Sequence, residues 1–137
     1  MRQRVLAYVT RERRGRIELL VFDHRDEPEA GTQVPAGRID PGETLEEGVL
    51  REVHEEAGLD GVWIVRELPV LGSWVDASPY ENHAYEVRAV EPTSDRWEHV
   101  VHGDGDDAGL VFEYRWVGVD SELDLWDGND PTYTQLR

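Results

Sequence analysis

The sequence predicts an α/β fold in which a capped, amphipathic helix packs on a sheet of short strands. Three observations carry this reading. Residues 45–57 show helical periodicity between a start signal and a stop signal. β-rich runs bounded by turn residues lie on both sides of that helix. The 137 residues suit one compact domain, long enough for a core and too short for two ordinary ones. A hydrophobic fraction of 39% with five tryptophans argues for a packed globule, although 32% of the residues are charged. We expect a single domain over 1–137, with no internal repeat and no linker.

Taken in chain order, residues 4–9 and 17–23 are β-rich and flank the polar turn Arg11 to Arg16, with Gly15 inside it, which suggests an antiparallel hairpin. Residues 25–32 hold charges, Pro28 and Gly31 and read as a surface loop leading to the extended Gln33-Val34-Pro35. A second loop runs from Gly37 to Glu43 and turns at Pro41-Gly42. Thr44 is placed to N-cap the following helix, and Glu47 completes a capping box. Gly58 supplies the stop. Leu45, Val49, Leu50, Val53 and Ala57 should bury one face of this helix, and the rest of its surface reads as charged. Further strands are expected at 62–66, 70–75, 83–90, 97–102 and 110–119. The tail from Leu123 to Arg137 contains Gly128, Asp130 and Pro131 and should form at most a short helix or turn.

Charge narrows the partners. Thirty acidic against fourteen basic residues give −16, which repels nucleic acid, anionic membranes and free nucleotides. An anionic substrate therefore needs bound cations to reverse the local sign, unless the charge serves solubility alone. Nucleic acid and membrane partners are not expected. The chain has no cysteine, so disulfides, thiolate nucleophiles and cysteine-ligated zinc are excluded. The apolar run Val5 to Val9 is too short for a signal-peptide core, and no stretch is long enough to span a bilayer, so a cytoplasmic location is expected. A homodimer is left open.

On a helical wheel Glu52, Glu55 and Glu56 fall within about a third of the circumference. Carboxylates so placed repel one another unless a hard divalent cation binds through oxygen ligands. Gly48, one turn before Glu52, weakens the helix by about 1 kcal/mol relative to alanine and reads as room left for an ion or a phosphate. A Glu-rich helix with no further signal would be read as a solvated acidic face.

Spacing points elsewhere. From Gly37 the chain runs to Glu43, then to Arg51-Glu52-Val53-His54-Glu55-Glu56-Ala57-Gly58-Leu59, and this resembles the Nudix box at every defining position. The segment from Gly37 to Leu59 covers 23 of the 137 residues. The flanking strands are similar to the α/β/α sandwich of the Nudix family, a mixed sheet with the box loop and helix packed on it. The resemblance implies that Glu52, Glu55 and Glu56 hold Mg²⁺ or Mn²⁺, more than one ion during turnover, with the Gly37 carbonyl able to contribute. It implies that Arg51 and Glu43 pair to tie the loop to the helix. The implied reaction is hydrolysis of a phosphoanhydride in a nucleoside diphosphate linked to another moiety, by water attack on phosphorus. Glu52 or Glu56 would deprotonate the water, or a base on a later loop would, for which Glu98 and Glu81 are the candidates. Both also read as ordinary strand-end charges.

Other features are weaker. Gly103-Asp104-Gly105-Asp106-Asp107-Ala108-Gly109 has glycines spaced like a dinucleotide fingerprint, but a strand follows and aspartates repel a pyrophosphate, so an acidic turn is expected. It lacks the closing glutamate of an EF-hand. His99 and His102 on one strand would face opposite ways, which argues against zinc. His54 points away from the glutamates on the wheel and reads as a surface residue. Of Trp63, Trp74, Trp97, Trp116 and Trp126, one at most is expected to stack on a base. Arg25 and Arg38 are candidates for substrate phosphates, whereas Arg11 to Arg16 reads as a solvated turn.

The alternative reading is a Nudix-fold domain that senses or binds nucleotides without turnover, though such modules commonly have eroded boxes and this one is intact. An isomerase on the same fold would call for a catalytic cysteine, which is absent. Cleavage at an RNA 5′ end sits badly with the acidic charge. ADP-ribose-cleaving relatives tend to carry a proline about fifteen residues past the box, and dinucleoside polyphosphate hydrolases a tyrosine slightly further. Here Trp74 and Val75 to Ala77 stand at those positions, and Pro79 and Tyr80 come later. The small anionic nucleotide thus stays unidentified.

Overall fold

The computed structural model describes residues 2–103, 105–126 and 129–137. The readings that involve Asp104 and Gly128 fall outside these residues. Seven strands form one mixed sheet: β1 (Gln3–Arg13), β2 (Arg16–His24), β3 (Ala36–Arg38), β4 (Val62–Leu68), β5 (Glu81–Ala89), β6 (Arg96–Val100) and β7 (Val111–Gly118). Their order is β4-β5-β1-β2-β7-β6, with β3 paired to β1 beside this path. The hairpin of β1 and β2 turns at Arg14 and Gly15, whose φ values of 53° and 75° are the left-handed pair that suits a tight hairpin.

β1 is the central strand. It runs parallel to β5 along its length. Its other edge is shared: the far end pairs with β2 from Thr10 to Arg13, and the near end pairs with β3 from Arg4 to Leu6. This division places Gly37 opposite Val5 and fixes the start of the predicted loop to the middle of the sheet.

Alternation along β1 feeds two cores. Val5, Ala7 and Val9 join Val49, Val53 and Ala57 of the helix α1 (Leu45–Ala57) on one face. Leu6 and Tyr8 join Leu68, Leu125, Tyr133 and Leu136 on the other. The second face is closed by the short helix α2 (Trp74–Ala77) and a 3-10 turn over Pro131–Leu136, so helical layers cover both sides of the sheet. Among the described residues no helix is long and apolar enough to cross a membrane.

The helix bounds are those expected. Thr44 and Glu47 form the full capping box, and Gly58 at φ 73° closes the helix in the left-handed conformation. Its last carbonyls all find donors: Gly58 N–H donates to His54, Tyr114 Oη–H to Glu56 at 2.8 Å, and Trp97 Nε1–H to Ala57 at 3.0 Å. The Glu55 carbonyl accepts from the His102 N–H at 3.0 Å and meets His99 Nε2 at 2.9 Å. Side chains and backbone from β6, β7 and the residues after β6 thus hold the helix end that carries the glutamates.

Several expectations are corrected. No strand forms at 70–75; Gly72 at φ 116° breaks the extension, and the chain drops Val70 and Trp74 onto the second core before turning into α2. Leu50 is 37% exposed, because Glu52 and Glu56 and not Leu50 complete the buried side of the helix. Gly48 leaves no room for an ion: a Cβ there would strike the Ile39 side chain, and Glu43 lies just beyond. Arg11 is not solvated, since its side chain is 12% exposed, bonds Glu18 and Asp95, and lies 4.5 Å from the Trp116 ring centroid. His99 and His102 stack at 5.1 Å, because β6 ends at Val100 and strict alternation ends with it.

The corrected helix face makes a test. Val53→Ala, at a fully buried position, should cost roughly 2 kcal/mol in chemical denaturation, whereas Leu50→Ala should cost under about 1 kcal/mol. Equal losses would contradict the packing described.

Candidate functional site

The loop before α1 is drawn onto the helix by one guanidinium. Arg51 donates from Nε and Nη2 to the two oxygens of Glu43 at 2.7 and 3.0 Å. Nη2 also reaches the Arg38 carbonyl at 2.9 Å, and Nη1 reaches Glu52 at 2.8 Å and Glu55 at 3.1 Å. Such a fork holds planar acceptors in fixed directions. Glu43 in turn accepts from Asp40 N–H at 3.1 Å, which closes the turn at Pro41-Gly42. Arg51 holds the Glu43 carboxyl below the usual carboxylate range.

Glu52 and Glu56 lie side by side, only 7% and 5% exposed. Glu56 accepts from Ala36 N–H at 3.2 Å, and Gly37 packs so closely on Glu52 that a Cβ would overlap its carboxylate. Gly37 is therefore required by close approach and not by its own φ. Burial pushes both carboxyls up, Glu56 further because Glu52 adds like charge and a hydrogen bond. Burial and like charge thus both disfavour two bare carboxylates at this pair.

These residues form one wall of an open cavity of about 580 Å³, a size suited to a small ligand. Gly37, Arg51, Glu52, Glu55 and Glu56 all line it, and Glu43 stands behind Arg51. Glu55 is set apart from the buried pair, drawn to Arg51 and packed beneath Gly103. Among the described residues, no three acidic or histidine side chains converge on one point as a metal site. The donor set nonetheless suits a hard divalent ion: two buried carboxylates whose charge burial disfavours, beside the Gly37 backbone.

The other sequence candidates separate cleanly. Arg38 lines the cavity and meets Asp106 at 3.3 Å. Arg25 lies outside the lining, paired with Asp26 and 3.5 Å from Glu98. Neither Glu98 nor Glu81 lines the cavity, and Glu81 meets His83 at 3.1 Å. His54 is exposed and pairs with Asp60. The acidic turn contributes Asp106 and Asp107 to the rim and leads into β7 rather than a helix. Trp97 and Tyr114 stack at 5.2 Å in the core, so Trp97 is structural.

Sequence reasoning missed Arg2, Arg4 and Tyr80, all of which line the cavity. For Arg4 a signal existed: it has the phase of Leu6 and Tyr8, whose side chains point into a core, so a charge there is out of pattern. Tyr80 was set aside because it stands later than the tyrosine of the dinucleoside polyphosphate hydrolases, and its place depends on the loop before β5.

The NUDIX domain model matches residues 1–136. An RNA pyrophosphohydrolase of Caulobacter vibrioides is 33% identical over 110 residues, 74% of this chain and 51% of that protein. The human 8-oxo-dGDP phosphatase NUDT18 is 49% identical over 41 residues, 30% of this chain and 13% of that protein. The chain thus spans about half, or less, of the curated relatives it matches. In fold it is similar to a C. elegans Ap4A hydrolase binary complex, with a TM-score of 0.68 at 18% identity over 98% of this chain and 95% of the other. An ADP-ribose pyrophosphatase from Streptococcus suis gives a TM-score of 0.59 at 19% identity over 97% and 86%. With the family model spanning nearly its whole length and an intact box built around the Arg51 fork, the chain belongs to the NUDIX domain family.

Proposed function

We propose that residues 1–137 act as a single divalent-metal-dependent hydrolase domain that cleaves a phosphoanhydride in a nucleoside diphosphate linked to another moiety. One observation carries the proposal: Glu52 and Glu56 are buried against each other on a cavity wall, an arrangement that favours either a shared proton or a bound cation. The curated relatives, an RNA pyrophosphohydrolase and an 8-oxo-dGDP phosphatase, are named for hydrolysis of phosphate-bearing nucleotide substrates, which supports this reading. A cytoplasmic location accords with the absence of cysteine.

Bound Mg²⁺ or Mn²⁺ would neutralise phosphoryl oxygens and acidify water. Glu52 and Glu56 would hold it together with the Gly37 carbonyl, and Glu55 would join by leaving Arg51. The carboxylate of the pair less committed to the ion takes the proton of the attacking water. Arg51 and Glu43 keep the Gly37 loop at a fixed distance from the helix while this happens. Ala36 N–H orients Glu56.

The contacts of Arg51 with Glu52 and Glu55 favour a second reading, a nucleotide-sensing domain in which these charges stay satisfied without metal. Turnover separates the two. With Mg²⁺ and a panel of nucleoside diphosphate derivatives, Glu52→Gln and Glu56→Gln should each lower kcat by about 10²-fold or more with folding intact. Nucleotide binding with no turnover by the folded wild type would favour sensing, and full activity in both variants would refute the assigned roles.

Stability gives an independent check. A carboxyl whose folded pKa is raised contributes stability below its unfolded value, about pH 4.3, and that contribution is lost as pH rises through the folded value. A cation held by the ionised pair removes this loss. MgCl2 should therefore raise Tm more at about pH 8 than at about pH 5.5. In Glu56→Gln this pH difference should shrink. Equal shifts at both pH values would argue against metal at this pair.

A further inference from the structure

Arg4 is a half-buried cation in the lining of the cavity. It stands on β1 opposite Arg38 on one side and Asn82 on the other. Among the described residues it has no carboxylate within salt-bridge distance and no hydrogen-bonded partner, whereas Arg51 and Arg38 are both paired. It shares the lining of the cavity with Glu52 and Glu56. Its guanidinium lies over an aromatic ring, with the Trp126 centroid 5.0 Å from Cζ. Tyr80 lines the same cavity, on a loop fixed by Asn82 Nδ2, which donates to Ser78 Oγ at 2.8 Å and to the Tyr80 carbonyl at 3.1 Å.

A half-buried arginine is costly to leave unpaired, and burial does pull its guanidinium below the ordinary arginine value, against the opposing pull of Glu56. With 30 acidic residues available, a structural partner would be easy to supply. We propose that the partner is the substrate: Arg4 receives a non-bridging oxygen of the diphosphate in the cavity that the buried glutamates also line. Its planar fork suits a phosphoryl group, and the Trp126 face fixes the plane of the fork. Arg4 thereby gives an acidic cavity a fixed cation for a diphosphate chain, in addition to any metal. The proposal rests on the hydrolase reading for the identity of the anion.

Methylenediphosphonate, which carries the diphosphate charges on a bond that water does not cleave, is the probe. In millimolar MgCl2, calorimetry on the wild type should show saturable binding. Arg4→Met should weaken it by about tenfold or more, and Arg4→Lys by less, since a lysine keeps the charge and loses the fork. Arg25→Met, outside the cavity, should leave Kd unchanged and so separates the effect from net charge. Absence of binding by the wild type, equal weakening in Arg25→Met, or a wild-type Kd in Arg4→Met would each overturn the assignment. If Arg4→Met does not fold, Arg4→Lys decides, and an unchanged Kd there overturns it as well. Arg4-dependent binding without turnover of any nucleotide would refute the hydrolase reading and leave the Arg4 site standing. Turnover with unchanged KM in Arg4→Met would do the reverse.

Discussion

The site depends on the guanidinium of Arg51. One planar cation meets Glu43 and the Arg38 carbonyl in the loop and Glu52 and Glu55 on the helix. A lysine could supply the charge but not the directions, because its ammonium has no fixed plane. The loop therefore takes its height above α1 from the reach of Arg51, and Gly48 supplies the space beneath. With Ile39 and Glu43 seated against Gly48, the loop comes close enough for Gly37 to touch Glu52 and for Ala36 to donate to Glu56. A Cβ at either glycine would widen that gap, which is why the helix tolerates a residue that weakens it.

The helix needs an anchor of its own, since it carries like charges at neighbouring positions. Hydrophobic burial of Val49, Val53 and Ala57 fixes its face but not its position along its axis. The axial position is set at the C-terminal end, where Tyr114, Trp97, the His102 N–H and His99 meet successive carbonyls. These groups come from the last two strands and the residues between them, far from the box in sequence. The glutamates are thus located by two independent devices: a loop held by Arg51 and a helix end held by the sheet edge.

This division explains what could be read from the sequence. The helix and its caps are local features, legible from residues within a few positions of one another, whereas the pairing of Arg51 with Glu43 was legible only through the resemblance to the Nudix box. The hairpin was legible for the same reason as the helix. The segment at 70–75 was misread because its apolar residues serve a core built from the chain's far end, and periodicity does not say which partner an apolar residue meets. Burial of Glu52 and Glu56 was invisible too, since a helical wheel shows adjacency and not what covers it. The phase of Arg4 was visible locally, but its place beside Asn82 and the loop that carries Tyr80 depends on β1 and β5 lying parallel, a relation that no local signal encodes.

The cavity sets two signs of charge near each other. Its lining holds carboxyls raised by burial and an arginine lowered by it. Left alone they would gain by pairing, yet Glu56 lies near enough to influence Arg4 without bonding to it. Ala36 N–H holds Glu56, and the guanidinium of Arg4 lies over the Trp126 ring. A ligand that carries both a cation for the glutamates and an anion for the arginine satisfies both at once, and a metal-bound diphosphate has that composition. The net charge of −16 acts in the same direction, since it repels a bare anion more than one whose charge a cation has reduced.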